Sequence, residues 1–439
     1  MPQFIVMFVI VATMLLEWTG ESGLLPSIVR FAPELGGGLA LLYVIIEGRT
    51  TRLRYVRSVY WIVFCGFVLH LLAGLFANHV EPGPIITGLR YFFRSIPLFL
   101  LPAVYAFSEK QIKQQLTLIV ALSLLQVPVT LYQLLFTDST GDGIYGTMLQ
   151  TSFLSPFLIA VACLLTAFRI AGRITVMRYM ILLGLVVLPT TINETKITMF
   201  LLPVGLTVVW ALGSPPGKRM KNTAIAVGLS GVLLTGFVTI YATLQSGYER
   251  EGRDGVVDIF KFFSSDQVGG YLKSNAGIGA GEYEVGRVDA FTVPFRFVAR
   301  DPVKFWFGVG MGNASMSPLG TSFQGRYAEL FRNFMSFTAV TLVLETGLGG
   351  LLTAMLLVFL IFLDARVVAG SEPSIEKAIA VGWLGVSALM AMLIFYSDTI
   401  VSSPIAFLYW YFSGLVAARR MRLALAKEDA AVARTVGAD

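Results

Sequence analysis

The chain lacks most of what a soluble enzyme or a secreted scaffold is built from: of its 439 residues only two are cysteine and two histidine, and only 14% are charged. Cys65 and Cys163 both fall inside apolar runs. They are too few for a disulfide framework or a metal site, and ordinary packing is the expectation. His70 and His79 lie in or just after one apolar run, where a lone histidine is expected to be a satisfied or interfacial residue rather than a base. No Asp-x-Asp pair and no His/carboxylate cluster occurs in the polar segments. Repeats of fixed period and low-complexity tracts are also missing, which argues against the matched halves of an inverted-repeat transporter.

What is there is apolar length. Hydrophobic residues make up 56% of the chain and the mean hydropathy is +0.74. A helix needs roughly 20 apolar residues to cross the hydrocarbon of a bilayer. Runs near 3–18, 26–47, 58–77, 86–107, 114–136, 151–169, 176–192, 197–213, 223–244, 345–363, 376–396 and 402–418 answer to that description. Unpaired backbone groups are costly in lipid and the runs do not alternate, so helices are expected and a membrane β-barrel is not. The fold class that follows is all-α: a polytopic helical membrane protein of about twelve spans. The first run has no basic segment before it and no small-residue cleavage site, so it reads as a retained helix.

Basic residues sort the connections. Arg49, Arg52, Arg54 and Arg57 form one cluster, followed by Lys110 and Lys113, by Arg169, Arg173 and Arg178, by Lys218, Arg219 and Lys221, and by Arg419, Arg420 and Arg422. All fall on one side of a twelve-span topology, and the positive-inside rule makes that side the cytoplasm, with both termini there. The connections at 19–24, 78–85, 137–149 and 397–401 are almost free of lysine and arginine. This topology absorbs most of the formal charge of +6, leaving nothing that calls for nucleic acid. The expected organisation is helices one to nine over 1–244, an external loop over 245–331, three more helices over 332–418 and a tail over 419–439.

The loop is where recognition or chemistry is expected. From Thr243 to Phe331 nine basic residues face ten acidic ones, whereas from Arg287 to Lys304 four basic residues face only Asp289 and Asp301. Arg287 to Pro302 reads as a short amphipathic helix ended near a proline. An aromatic cluster, Phe305-Trp306-Phe307, and the glycines Gly308, Gly310 and Gly312 follow. Arg90 and Arg94 carry a second signal, standing four residues apart on one stripe of the fourth run. Charges placed in a span face a cavity or an anionic partner more readily than lipid. The alternative is snorkelling toward the headgroups, which suits Arg90 better than the deeper Arg94.

Twelve spans, one large outward loop before the last three, an arginine opening an aromatic-rich helix, a proline, a Gly-x-Gly-x-Gly stretch and then Glu345-Thr346-Gly347-Leu348-Gly349-Gly350 resemble the O-antigen ligase and Wzy-type polysaccharide polymerase superfamily. Tyr145-Gly146-Thr147-Met148 is similar to that family's Gly-Thr-Phe-like lead-in to a helix, and Asn193-Glu194-Thr195-Lys196 occupies the place of its Ser-Arg turn. The resemblance implies a GT-C-like membrane fold in the bacterial inner membrane. It also implies glycosyl transfer at the periplasmic face between an undecaprenyl-pyrophosphate-linked glycan donor and a glycan acceptor, in the company of other polysaccharide-assembly proteins. Charge growing on the diphosphate leaving group must be stabilised by a metal or by fixed cations. With no metal cluster in the sequence and no cofactor expected, arginine is the natural agent, because its planar fork binds phosphate oxygens bidentately.

Arg287 matches the family's loop arginine, and Arg296 and Arg300 are candidates on neighbouring faces of the same helix; a solvated loop face is the alternative for all three. Lys196 is either a further phosphate contact or an ion pair with Glu194. Phe305, Trp306 and Phe307 suit sugar stacking, and seating at the membrane surface explains them equally well. The chain departs from the ligase branch at the start of the helix after the loop, where Arg332-Asn333 or Ser336-Phe337 stands in place of a His-Asn pair. The general base is then expected to be a carboxylate, Glu282, Glu284 or Asp289. A polymerase is the expectation, with a ligase and a lipid-linked oligosaccharide flippase or other transporter as alternatives.

Overall fold

The computed structural model describes residues 1–51, 53–137, 143–193, 195, 197–250, 286–335, 337–398 and 405–436. Among these residues the regular structure is helical and no strand occurs. The helices of six or more residues, numbered here in chain order, are α1 Pro2–Glu21, α2 Ser27–Thr51, α3 Ser58–Ala77, α4 Pro82–Phe93, α5 Pro97–Val104, α6 Glu109–Phe136, α7 Thr151–Ile170, α8 Val176–Ile192, α9 Thr198–Gly213, α10 Arg219–Arg250, α11 Arg287–Ala299, α12 Pro302–Phe307, α13 Thr338–Ala369, α14 Ile375–Leu393 and α15 Ile405–Val436.

Eight of these are long and apolar enough to cross a membrane: α1, α2, α3, α6, α7, α10 over Pro216–Ile240, α13 and α14. The pair α4 and α5 makes a ninth if it is one span bent by 47°. A helix stands at every place where a run was expected, but α8 and α9 are shorter apolar helices of 17 and 16 residues. In α15 the apolar stretch passes directly into Arg419 and Arg420. The run at 86–107 is not one straight helix, because Pro97 has no N–H to bond the preceding turn and its ring clashes with a carbonyl there. Local signals set other starts. Ser108 and Gln111 form a reciprocal capping box at the head of α6, and the side chains of Thr175 and Ser374 cap α8 and α14.

The core lies where α7, α9, α13 and α14 meet, with α7 and α14 the most buried of the spans. Small residues let these backbones approach, as expected where lipid supplies no hydrophobic drive between helices. A Cβ on Gly205 would lie 2.9 Å from Cys163 Sγ, and one on Gly385 would lie 2.9 Å from the Gly205 carbonyl. Cys163 is accordingly an ordinary packing residue, whereas Cys65 is exposed on α3.

The helices have two unlike ends. At the basic end Arg57, just before α3, and Arg420 of α15 both pair with Asp364 of α13, which also accepts from Tyr60 Oη at 2.9 Å. At the opposite end lie the 286–335 segment and the residues that form the site below.

Candidate functional site

The bend between α4 and α5 shapes the site. Arg90 sits in the last turn of α4 and Arg94 caps it, and both reach Glu34 near the start of α2. Arg90 donates to the two carboxylate oxygens from Nε at 2.8 Å and Nη2 at 2.6 Å, and Arg94 Nη1 donates at 3.0 Å. The first is a bidentate fork on a carboxylate, the strongest geometry guanidinium offers. Phe31 lies under the Arg90 guanidinium at 5.1 Å and Phe407 under that of Arg94 at 5.8 Å. Helix α2 comes this close because Gly37, one turn beyond Glu34, has no side chain; a Cβ there would stand 2.2 Å from the Arg94 carbonyl oxygen. Both arginines therefore face a carboxylate rather than lipid.

A second set of bonds runs from the same turn of α4. Tyr91 Oη donates to Asp398, just beyond α14, and Thr338 Oγ1 at the start of α13 reaches Asp398 Oδ1 at 3.4 Å and the Ser397 carbonyl at 3.0 Å. The head of α13 is further closed by Ala339 N–H on the Ile394 carbonyl at 2.8 Å. Asp398 thus rests at a helix N terminus, where negative charge is favoured. Two residues earlier, Tyr396 receives Arg287, whose Nη1 donates to its carbonyl at 3.0 Å while the guanidinium lies 4.8 Å from its ring centre. The Glu34 and Asp398 contacts thus share the last turn of α4, and the Asp398 and Arg287 contacts share the 396–398 segment. Fixed cations with a carboxylate beside them can hold a multiply charged oxyanion and accept a proton next to it.

The remaining expected residues are placed less favourably. Arg296 and Arg300 are exposed. Nine residues from Arg287 is two and a half helical turns, so Arg296 projects from the opposite face of α11, and Arg300 lies close to that face too. The structure does not bring either to the cluster. Asp289 is half-buried in the first turn of α11. Lys196, Glu194, Glu282, Glu284 and Ser336 lie outside the described residues.

The aromatic and glycine stretch is a packing device. Phe305 meets Phe295 edge-on at 6.2 Å, Phe307 stacks on His70 at 4.9 Å, and Trp306 is half-exposed. His70 also bonds the Thr346 carbonyl through Nε2 at 2.8 Å, which accounts for this histidine without a catalytic role. Gly312 N–H at 2.9 Å and Ala314 N–H at 3.3 Å donate to the buried Glu345 carboxylate, pinning the loop to α13. The Gly146-Thr147 segment is similarly held, its backbone bonded by the side chains of Gln133 and Gln126 on α6 at 2.8 to 2.9 Å. Asp301 caps α12 by accepting from Val303 N–H, and this bond holds its carboxyl below the usual range.

Glu34, Tyr91, Tyr396 and Asp398 carry the site but have no distinctive sequence pattern. A lone acid near a helix start or end is ordinary, and only the pairing across 56 residues for Glu34 and 307 for Asp398 gives them meaning. Compared with known proteins, the chain matches no family model and no curated protein.

Proposed function

We propose that this chain is a polysaccharide polymerase that joins repeat units carried on undecaprenyl pyrophosphate. In this reading the chain has twelve spans, with both termini in the cytoplasm and the 286–335 segment on the periplasmic side. The observation that carries it is three contacts at the end of the helices opposite the basic one: Arg90 and Arg94 on Glu34, Tyr91 on Asp398, and Arg287 on the Tyr396 carbonyl. An acceptor hydroxyl attacks the anomeric carbon of the donor sugar, the carbon–oxygen bond to the diphosphate breaks, and the electron pair leaves with the phosphate. Arg90, Arg94 and Arg287 stabilise the charge that grows on that leaving group. Asp398, held by Tyr91 and Thr338, takes the hydroxyl proton. The lack of histidine after the loop favours a polymerase over a ligase.

The test uses the purified full chain in detergent with a lipid-linked repeat unit and no ion gradient. Lengthened glycan is the expected product. Arg94→Ala and Arg287→Ala should each lower its rate by on the order of 10²- to 10³-fold, the usual loss when one fixed donor to developing charge is removed. Movement of the lipid-linked unit across a sealed vesicle without bond formation, or glycan capped onto an acceptor with no change in chain length, would sink the polymerase reading.

A further inference from the structure

A hollow of about 270 Å³ opens at the basic end of the molecule, between α6, α7 and α8. That is near the lower end of the roughly 300–1,000 Å³ of small-ligand sites. Its walls are three helical stripes: Lys113 to Val120 on α6, Leu164 to Phe168 on α7, and Arg178 to Leu182 on α8. Apart from Thr117 the deeper lining is aliphatic or aromatic, and cations stand only at the ends of the stripes. Lys113 is one turn into α6 and Arg178 is in the first turn of α8, so both charges sit at one mouth, while the apolar wall continues about 10 Å inward at 1.5 Å per residue. Helices α6 and α8 also begin at this mouth, and their positive ends add to the cationic field.

Glu109 is the acidic residue here and is already engaged, by Lys113 at 3.2 Å and Arg173 at 2.8 Å. Lys110 and Arg178 have no ion pair among the described residues. A second, more open hollow of about 640 Å³ beside α1 shares Lys113 and adds Lys110, extending the cationic mouth. Apolar depth beneath an excess of positive charge at one membrane surface is complementary to an amphiphile with an anionic head.

We infer that this groove binds an anionic phospholipid, with one acyl chain between α6, α7 and α8 and its phosphate between Lys113 and Arg178. The site is on the opposite end from the arginine group described above and does not depend on the polymerase reading. Native mass spectrometry of the delipidated full chain, titrated with dioleoyl phosphatidylglycerol or dioleoyl phosphatidylcholine, tests it. Phosphatidylglycerol is expected to be retained about tenfold better, a difference of 1.4 kcal/mol. Lys113→Gln with Arg178→Gln should bring it down to the phosphatidylcholine level; both positions are exposed, so the fold is not at risk. Leu164→Trp, which fills the groove, should lower retention while leaving both charges in place. Equal retention of the two lipids by the native chain would overturn the assignment. Tight binding of dihexanoyl phosphatidylglycerol, whose chains are too short to use the apolar wall, would do the same.

Discussion

Glu34 occupies the position an anionic ligand would take between Arg90 and Arg94, and its effect on such a ligand is competitive. A diphosphate binding these arginines must displace or share that carboxylate, so neutralising it lowers the cost of binding. Glu34→Gln is expected to bind inorganic pyrophosphate about tenfold more tightly than the native chain, a gain of 1.4 kcal/mol, whereas Arg94→Gln is expected to bind it more weakly. Titration calorimetry reads both, and looser binding in Glu34→Gln would show that the carboxylate positions the arginines instead of competing for them. At this scale Arg90 and Arg94 were legible because charges inside an apolar run announce themselves. Arg287 was legible because it opens an amphipathic stretch. Arg296 and Arg300 share that stretch but not that face, so the charge count around Arg287 overstated how many cations converge. Glu34 and Asp398 were illegible for the opposite reason: nothing local distinguishes them, and their partners come from other helices.

The glycine-rich stretch and α13 meet through a break rather than a pocket. Gly347 has φ 65° and ψ −167°, a region nearly reserved for glycine, and a Cβ there would stand 2.4 Å from the Trp306 carbonyl carbon. Gly347→Ala should destabilise the protein by about 1–3 kcal/mol from the backbone alone, with more from the clash. Gly66→Ala in α3, with nothing within 4 Å, should be neutral or stabilising by about 0.5–1 kcal/mol. Thermal unfolding midpoints in detergent distinguish the pair, and equal midpoints would remove the break from the account. At α12 the cap is a titrating one. Because Asp301 has a depressed pKa when folded, its contribution is fully present above the ordinary value of about 3.9 and is lost as pH falls through the lower folded value. Asp301→Asn, which caps without titrating, should flatten that acid limb in a Val303 amide-exchange profile. Sequence alone marked the arginine helix, the proline and the glycines. For the aromatics it left sugar contact and seating at the membrane surface equally open, because the rings that Phe305 and Phe307 meet, Phe295 and His70, come from outside the motif.

For the whole molecule, apolar length was enough to place the helices, since a run that must satisfy its own backbone in lipid has one solution. Continuity was harder to read: the Pro97 bend and the passage of α15 into a charged extension depend on single residues within otherwise uniform runs. The basic clusters, read only as topology signals, also have a structural part. Asp364 is fully buried and takes Arg57, Arg420 and Tyr60, joining the start of α3, the end of α13 and the middle of α15. A buried carboxylate between two guanidinium groups adds little net stability over apolar packing, but removing one member strands the others. Asp364→Ala should therefore cost about 3–5 kcal/mol, and Arg420→Met alone should cost less, since Arg57 and Tyr60 still satisfy the acid. Replacing all three charged members together, with Arg57→Met, Asp364→Leu and Arg420→Met, should recover most of the loss. Unfolding midpoints of the three variants in one detergent decide it. If the triple variant is no more stable than Asp364→Ala, the ion group holds the three helices by geometry that apolar side chains cannot replace.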